Sequence, residues 1–340
     1  MFFKNNSEWQ GLLGLAYTGI SRPDKSVKSW IDAVMDANDQ ASLAFSLELC
    51  GMISNNNSNH IGNFDVILGN NERLNHTKFV ANIIREWFYD ITIFDITVDN
   101  QSLTTSSITC RDINNDKSII DSGSTNLILP EKVYNSLTDA LCKYVERNNI
   151  SLNPDFWNTK DTSCFDFEQN WNILPNISIS IARDANSYFI LDLPGPSYVK
   201  QVFSDENSPL KYCYKVAIEK STGNIGTILG AVTMEGFKVI FNRTSKTIEY
   251  QKGHCGPNVG LRGLYYDTNC DIIQKCSFKK LSTYDGNFFD RNILPIFFIT
   301  VIIMVAAIVL VFLLKKGKEN SWASHVFISM NRTPQLINED

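Results

Sequence analysis

The sequence predicts a mainly β protein with a few short helices, held at a membrane by one helix near its C-terminus. Three observations carry that expectation. Apolar and polar residues alternate over residues 43–50, 64–68, 87–98 and 177–181, with little helical periodicity between them, as half-buried strands require. Residues 293–314 (ILPIFFITVIIMVAAIVLVFLL) contain no charge, and at about 1.5 Å per residue such a helix crosses the roughly 30 Å of bilayer hydrocarbon. All eight cysteines precede residue 277 and no C-x-x-C pair occurs, so they read as disulfides of an oxidising compartment rather than as metal ligands.

Composition narrows the class further. The 340 residues are 44% hydrophobic and 20% charged, with a formal net charge of -5. Disordered, collagen-like and strongly basic classes are excluded, and a nucleic-acid partner has no electrostatic footing. The length suggests about two lobes.

From the N-terminus, residues 11–20 (GLLGLAYTGI) form an apolar, strand-like run. A short helix follows, with Ser26 placed to cap it and Val27, Trp30, Ile31 and Val34 recurring at helical spacing on its buried face. Residues 55–59 are a solvated loop. After Pro130, the residues Val133, Leu137, Leu141 and Tyr144 line one side of a helix over residues 131–147. His60, His76 and His254 stand in polar loops without metal-ligand spacing, and no metal site is expected. Beyond the uncharged run, Lys315, Lys316 and Lys318 place residues 315–340 in the cytoplasm. Everything before Ile293 is then lumenal or extracellular, in agreement with N-x-[ST] acceptors at Asn5, Asn56, Asn75, Asn100, Asn149, Asn176 and Asn242. The first seven residues turn polar after two apolar ones and make no signal peptide, so the true N-terminus is expected to lie upstream of Met1.

The chemistry sits in residues 117–130 (KSIIDSGSTNLILP). Ile119 and Ile120 on one side, and Leu127, Ile128 and Leu129 on the other, flank a polar turn that opens on a single carboxylate, Asp121. Gly123 lets the chain reverse, and the hydroxyls of Ser122, Ser124 and Thr125 can hold the carboxylate by hydrogen bonds. The plain alternative is a polar β-turn between strands, and D-S-G alone does not decide between them.

The segments around that turn do. W-x-G-L-L-G-L-A-Y (residues 9–17), R-P-D (22–24), F-S-L-E-L-C-G (45–51), R-E-W-F-Y (85–89), D-K-S-I-I-D-S-G-S-T-N-L (116–127), C-Y-K-V-A-I (213–218) and G-A-V-T-M-E-G-F (230–237) together make the chain resemble the pepsin-like aspartic endopeptidases, and within them the membrane-anchored beta-secretase (memapsin) group. The resemblance implies a mainly β, bilobal pepsin-like fold followed by one transmembrane helix. It implies a mechanism in which water held between two aspartates, one from each lobe, attacks a peptide carbonyl, with no cofactor. Asp121 corresponds to the second-lobe aspartate, Ser122 to the hydroxyl bracing the two active-site loops, Gly123 to the backbone beside the carboxylate, and Ser124 to the donor that holds it. Thr125 contacts substrate backbone in this reading. Ile128 stands where the group has an arginine, so side-chain preference is expected to differ. Implied partners are peptide segments of membrane-anchored glycoproteins, met in the Golgi, endosome or plasma membrane.

The same resemblance implies an incomplete first lobe, because D-[ST]-G occurs only at Asp121. The expected division is a partial N-terminal lobe (1–80), a C-terminal lobe (81–255), a membrane-proximal lumenal segment (256–292), the transmembrane helix (293–314) and a cytoplasmic tail (315–340). One carboxylate makes no dyad, so the chain alone is expected to be inactive and poorly folded in its N-terminal third. Two chains supplying one aspartate each, or a non-catalytic membrane-anchored substrate-binding protein, are the alternatives. The group's cysteine framework implies Cys50 with Cys255, Cys110 with Cys270, and Cys164 with Cys213. Cys142 and Cys276 are left over, and their pairing stays open.

Overall fold

In the computed structural model of the chain, the described residues are 12–21, 26–37, 43–51, 62–69, 78–157, 162–202, 212–223, 225–267 and 271–276. All fall in one compact unit, residues 1–279. The expected loop at 55–59, the R-P-D segment, His60, His76, Cys270 and the uncharged run at 293–314 lie outside the described residues. Among the described residues no helix is long and apolar enough to cross a membrane.

Alternating sequence becomes strands in four sheets. The first orders β2 (Asn63–Leu68), β1 (Leu43–Glu48), β16 (Phe237–Asn242), β17 (Thr247–Lys252) and β3 (Val80–Asn82), all antiparallel. Strands of the N-terminal 80 residues are thus completed by strands near residue 240. Because β1 is a central strand, Leu43, Ala44, Phe45, Ser46 and Glu48 are buried on both faces, where alternation alone suggested one wet face. Phe45 stacks on Phe241 with centroids 4.8 Å apart. Edge strand β2 keeps Phe64, Val66 and Leu68 exposed.

The second sheet orders β18 (Gly260–Tyr266), β11 (Ser187–Leu193), β10 (Ile177–Ala182), β5 (Ile93–Val98) and β6 (Gln101–Ser102). The third is β12 (Val199–Val202), β13 (Tyr212–Val216) and β9 (Ser163–Phe165). The fourth orders β14 (Ile218–Lys220), β8 (Leu127–Leu129), β15 (Ile228–Leu229), β7 (Ser118–Ile120) and β4 (Tyr89–Ile91), and it carries the D-S-G turn.

Helices are short except one. α1 (Trp30–Ala37) starts four residues after the expected cap: the Asp32 N–H donates to Ser29 Oγ at 3.3 Å and Ser29 Oγ–H donates back to Asp32 at 2.8 Å, so Ser29 replaces Ser26 as the start signal. Ile31 is its one fully buried residue, and Val27 and Trp30 are exposed. The described part of the run, residues 12–20, is not a strand; residues 12–17 are irregular and Thr18–Ile20 make a single 3-10 turn. α2 (Cys110–Asn114) and α4 (Gly195–Tyr198) are single turns. α3 spans Glu131–Arg147 as expected, burying Val133, Leu137, Leu141 and Val145. Val145 takes the innermost place expected of Tyr144, because four-residue steps from Leu137 and Leu141 lead to 145. Each such side chain contributes about 1.5–3 kcal/mol.

The disulfides correct one expected pairing. Cys50 is bonded to Cys255 and Cys164 to Cys213, but Cys110 is bonded to Cys276, not to Cys270. The cause is α5 (Ile272–Cys276), which docks on α2 through Arg111 Nε donating to the Lys275 carbonyl at 2.8 Å. Ile272, Cys276, Cys110 and Ala182 form a small apolar cluster with Phe94 and Tyr188, and the Cα atoms of Cys110 and Cys276 sit 5.0 Å apart. Cys142 is a half-buried free thiol on α3, held above the usual thiol range by burial and then by Asp139 and Glu146.

Candidate active site

The D-S-G turn joins two strands that do not pair with each other. β15 runs between them, parallel to β7 (Ile228 opposite Ile119, Leu229 opposite Ile120) and antiparallel to β8 (Ile228 opposite Ile128, Leu229 opposite Leu127). The apolar residues flanking the turn explain this. Leu127, Leu129 and Leu229 are fully buried, as Ile119 and Ile120 nearly are, and short strands hydrophobic on both faces are central strands.

Backbone hydrogen bonds then fix the turn. The Asp121 N–H donates to the Leu229 carbonyl at 3.0 Å, extending the parallel ladder by one residue. On the other arm, the N–H groups of Ala231 and Val232 donate to the carbonyls of Ser124 (2.7 Å) and Thr125 (3.0 Å). Gly230 makes the crossing possible. A β-carbon there would lie 2.3 Å from the Asn126 carbonyl oxygen and 2.7 Å from that of Ser124, so only glycine fits without moving backbone.

The carboxylate itself is held on both oxygens. Gly123 N–H donates to Asp121 Oδ1 at 2.9 Å and Ser124 Oγ–H donates to Oδ2 at 2.7 Å. Gly123 serves by closeness, since a β-carbon would stand 3.1 Å from Oδ1, and its φ is not in the left-handed region. Asp121 and Ser124 are half-buried, whereas Ser122, Gly123 and Thr125 are exposed. Among the described residues no cation pairs with Asp121. All five expected site residues therefore share one turn, with the carboxylate fixed by neutral donors and open to solvent. The six bridged cysteines take no part in it.

Two flanking features were not legible beforehand. Asn126 Nδ2 donates to Glu219 Oε1 at 2.7 Å, tying β8 to β14 beside the turn. On the far side of β7, Asp90 is buried on β4 and accepts from Arg85 Nε at 2.6 Å, while Arg85 Nη2 donates to the Asp116 carbonyl at 3.0 Å. Burial holds the Asp90 carboxyl above the usual range, and the Arg85 charge offsets part of that. For the crossing strand β15 the signal in sequence is the I-L-G run at 228–230, two apolar residues and a glycine. It carries no charge to mark it. Among the described residues no group of histidine, cysteine and acidic side chains is placed to hold a metal ion.

Comparison with known proteins agrees with this geometry. Residues 1–252 match the family model described as eukaryotic aspartyl protease. A protein named Beta-secretase from Strongylocentrotus purpuratus is 31% identical over 314 residues, covering 84% of this chain and 56% of that protein. The chain thus spans little more than half the length of that curated relative. With a family model matching most of its length and a turn of this build at Asp121, the chain belongs to the eukaryotic aspartyl protease family.

Proposed function

We propose that this protein is an aspartic endopeptidase of beta-secretase type, in which Asp121 is one of the two carboxylates that activate water against a peptide bond. The observation that carries the reading is the Asp121 carboxylate, held on one oxygen by the Gly123 N–H and on the other by the Ser124 hydroxyl and open to solvent. Two neutral donors fix the plane of the group without cancelling its charge. When a second carboxylate stands close, the pair cannot ionise together and one member keeps a proton. The ionised member takes a proton from water as its oxygen attacks the carbonyl carbon; the protonated member donates to the developing oxyanion. Transfer of a proton to the amide nitrogen then lets the C–N bond break. The route needs no cofactor. Ser122 and Thr125, exposed on the same turn, serve as brace and substrate contact in this reading.

Residues 293–314 act as the anchor, with residues 1–292 lumenal and 315–340 cytoplasmic. Such an anchor confines the protein to the membrane surface, which favours membrane-anchored glycoproteins of the Golgi, endosome or plasma membrane as substrates. D-[ST]-G occurs at Asp121 alone, so the chain by itself supplies one carboxylate of the two.

The test uses internally quenched peptides at mildly acidic pH. The chain alone is expected to give no turnover. Joined to a D-[ST]-G-bearing lobe of a family member, it is expected to gain turnover that Asp121→Asn abolishes. Turnover indifferent to Asp121→Asn, or none after the lobe is supplied, counts against the enzyme. Tight peptide binding without cleavage in both forms supports the second reading, a membrane-anchored substrate-binding protein, which the single D-S-G favours.

A further inference from the structure

Four N-x-[ST] sequons fall wholly within the described residues, at Asn100, Asn149, Asn176 and Asn242. Far apart in sequence, the first three meet around one residue. Asp99 donates its N–H to the Asn176 carbonyl at 3.4 Å, and its carboxylate pairs with Arg147 Nη2 at 3.4 Å, two residues before Asn149. Asn100 follows Asp99 directly. Asn100 tops the two-residue turn between β5 and β6 with φ 61°, and Asn149 ends α3 with φ 52°. Left-handed positions of this kind suit asparagine and push the side chain away from the element it ends. Asn100, Asn149 and Asn176 are all exposed, and none of their side chains hydrogen-bonds to another described residue.

Asn242 differs in its own side chain: the sequon residues Ile177 and Ser178 that follow Asn176 are buried as well, but Asn176 itself is exposed, whereas Asn242 is not. It is 8% exposed, ends the central strand β16 opposite Ala44 and Thr247, and its Oδ1 accepts the N–H groups of Thr244 (3.1 Å) and Ser245 (2.9 Å) to make the β16–β17 turn. Its sequon neighbours are engaged too: Arg243 is buried against Tyr17 and Asp32, and Thr244 Oγ1 accepts the Leu43 N–H at 2.9 Å. A sugar on Asn242 Nδ2 would crowd the turn that its Oδ1 holds, where Arg243 and Thr244 are already engaged.

We infer that Asn100, Asn149 and Asn176 form one N-glycan-bearing patch around Asp99, and that Asn242 remains bare in the folded protein. Glycan transfer acts on chains that have not finished folding, so the structure selects afterwards: exposed, unengaged asparagines carry a glycan at no cost to packing, whereas a glycan on Asn242, 8% exposed at the end of β16, disturbs the packing around it. The inference rests on the lumenal placement proposed above and not on the catalytic reading.

The experiment expresses the full chain in insect cells behind a cleavable signal sequence, so that entry into the lumen is given. Folded protein bearing the Cys50–Cys255 bridge is isolated, glycans are removed enzymatically in heavy-oxygen water, and tagged asparagines are located by peptide mass spectrometry. Tags on at least two of Asn100, Asn149 and Asn176 with none on Asn242 are expected; fewer than two in the patch, or any on Asn242, overturns the inference. Failure of the lumenal placement reads differently: the signal-directed protein would still carry the patch, while protein made from the whole gene in its own cells would lack every glycan.

Discussion

The guanidinium of Arg243 lies 3.6 Å from the ring centroid of Tyr17 and is buried with it. The same group donates to the Tyr89 phenol at 3.1 Å and pairs with Asp32, which also accepts from the Thr18 N–H (3.0 Å) and hydroxyl (2.6 Å). Tyr89 in turn donates to the Leu15 carbonyl at 2.6 Å. One buried cation thus fastens the N-terminal segment and α1 to the end of β16.

Arg243→Met is therefore expected to cost about 3–5 kcal/mol, because it strands the partners of a buried charge. Arg243→Lys should recover only part, since an ammonium cannot stack and fork at once. Asp32→Asn should cost an amount comparable to Arg243→Met, because it leaves the buried Arg243 guanidinium without its counter-ion even though the amide oxygen still accepts from Thr18. Urea unfolding midpoints of the purified chain order the three; equal midpoints for wild type and Arg243→Met would contradict the fastening.

Gly230→Ala is expected to destabilise by about 1–3 kcal/mol or more and to prevent turnover in the lobe-completed protein, because the new methyl meets two backbone oxygens rather than yielding side chains. Gly14→Ala is the control, meeting nothing within 4 Å, and should stay within about 0.5 kcal/mol. Thermal melts of both variants decide it.

Local chemistry was legible in the sequence; long-range chemistry was not. Asp121, Gly123 and Ser124 lie within four residues, so their hydrogen bonds could be read directly, as could α3, whose apolar face repeats along 17 residues. The passage of β15 between β7 and β8 joins segments about a hundred residues apart, and no local period encodes it. The Asp32–Arg243 pair, separated by 211 residues, is likewise silent, because each residue alone looks like solvated surface. Ser26 and Ser29 both precede Trp30, Ile31 and Val34 of the apolar pattern, and only the acid at Asp32 distinguishes the true cap.

Ser124→Ala removes the hydroxyl from Asp121 Oδ2 and leaves the Gly123 N–H on Oδ1. A hydrogen bond to a charged group contributes about 1.5–3 kcal/mol. If that donor supports the ionised form during proton abstraction, kcat in the lobe-completed protein should fall about tenfold or more with KM little changed. Ser124→Thr, which keeps a hydroxyl, should retain most of the rate. Rising KM with unchanged kcat would instead assign Ser124 to substrate binding.

Peptide mapping without reduction should place Cys110 with Cys276 and leave Cys142 as a free thiol. Cys276→Ser is expected to cost about 2–4 kcal/mol and to free α5 from α2. Recovery of a Cys110–Cys270 peptide from folded wild-type protein would restore the pairing that resemblance implied and remove the packing argument built on Ile272.

Stability should peak on the acidic side of neutrality. Burial raises the carboxyls of Asp90, Asp95 and Glu235, against the opposing charge of Arg85 and Lys117 at Asp90, hydrogen bonds from Ser102 and Thr104 at Asp95, and Lys200 at Glu235. Folded protein then holds these protons more tightly than unfolded chain does, so their contribution is full below the ordinary values of 3.8 and 4.5 and is lost as pH rises through the raised ones. Asp32 and Asp112 run the other way. Burial pushes both up, but the hydrogen bonds of Thr18 and Ser29 with the Arg243 charge, and those of Thr109 with the Lys132 charge, outweigh it and lower them. Their contribution is present above 3.8 and lost as pH falls through the lowered values. Tm is therefore expected to climb from neutral pH into the mildly acidic range and to drop below about pH 3.8. Asp90→Asn should flatten the climb and Asp32→Asn the drop. A Tm that falls steadily from neutral pH downward would mean that the buried carboxyls are ionised in the folded protein.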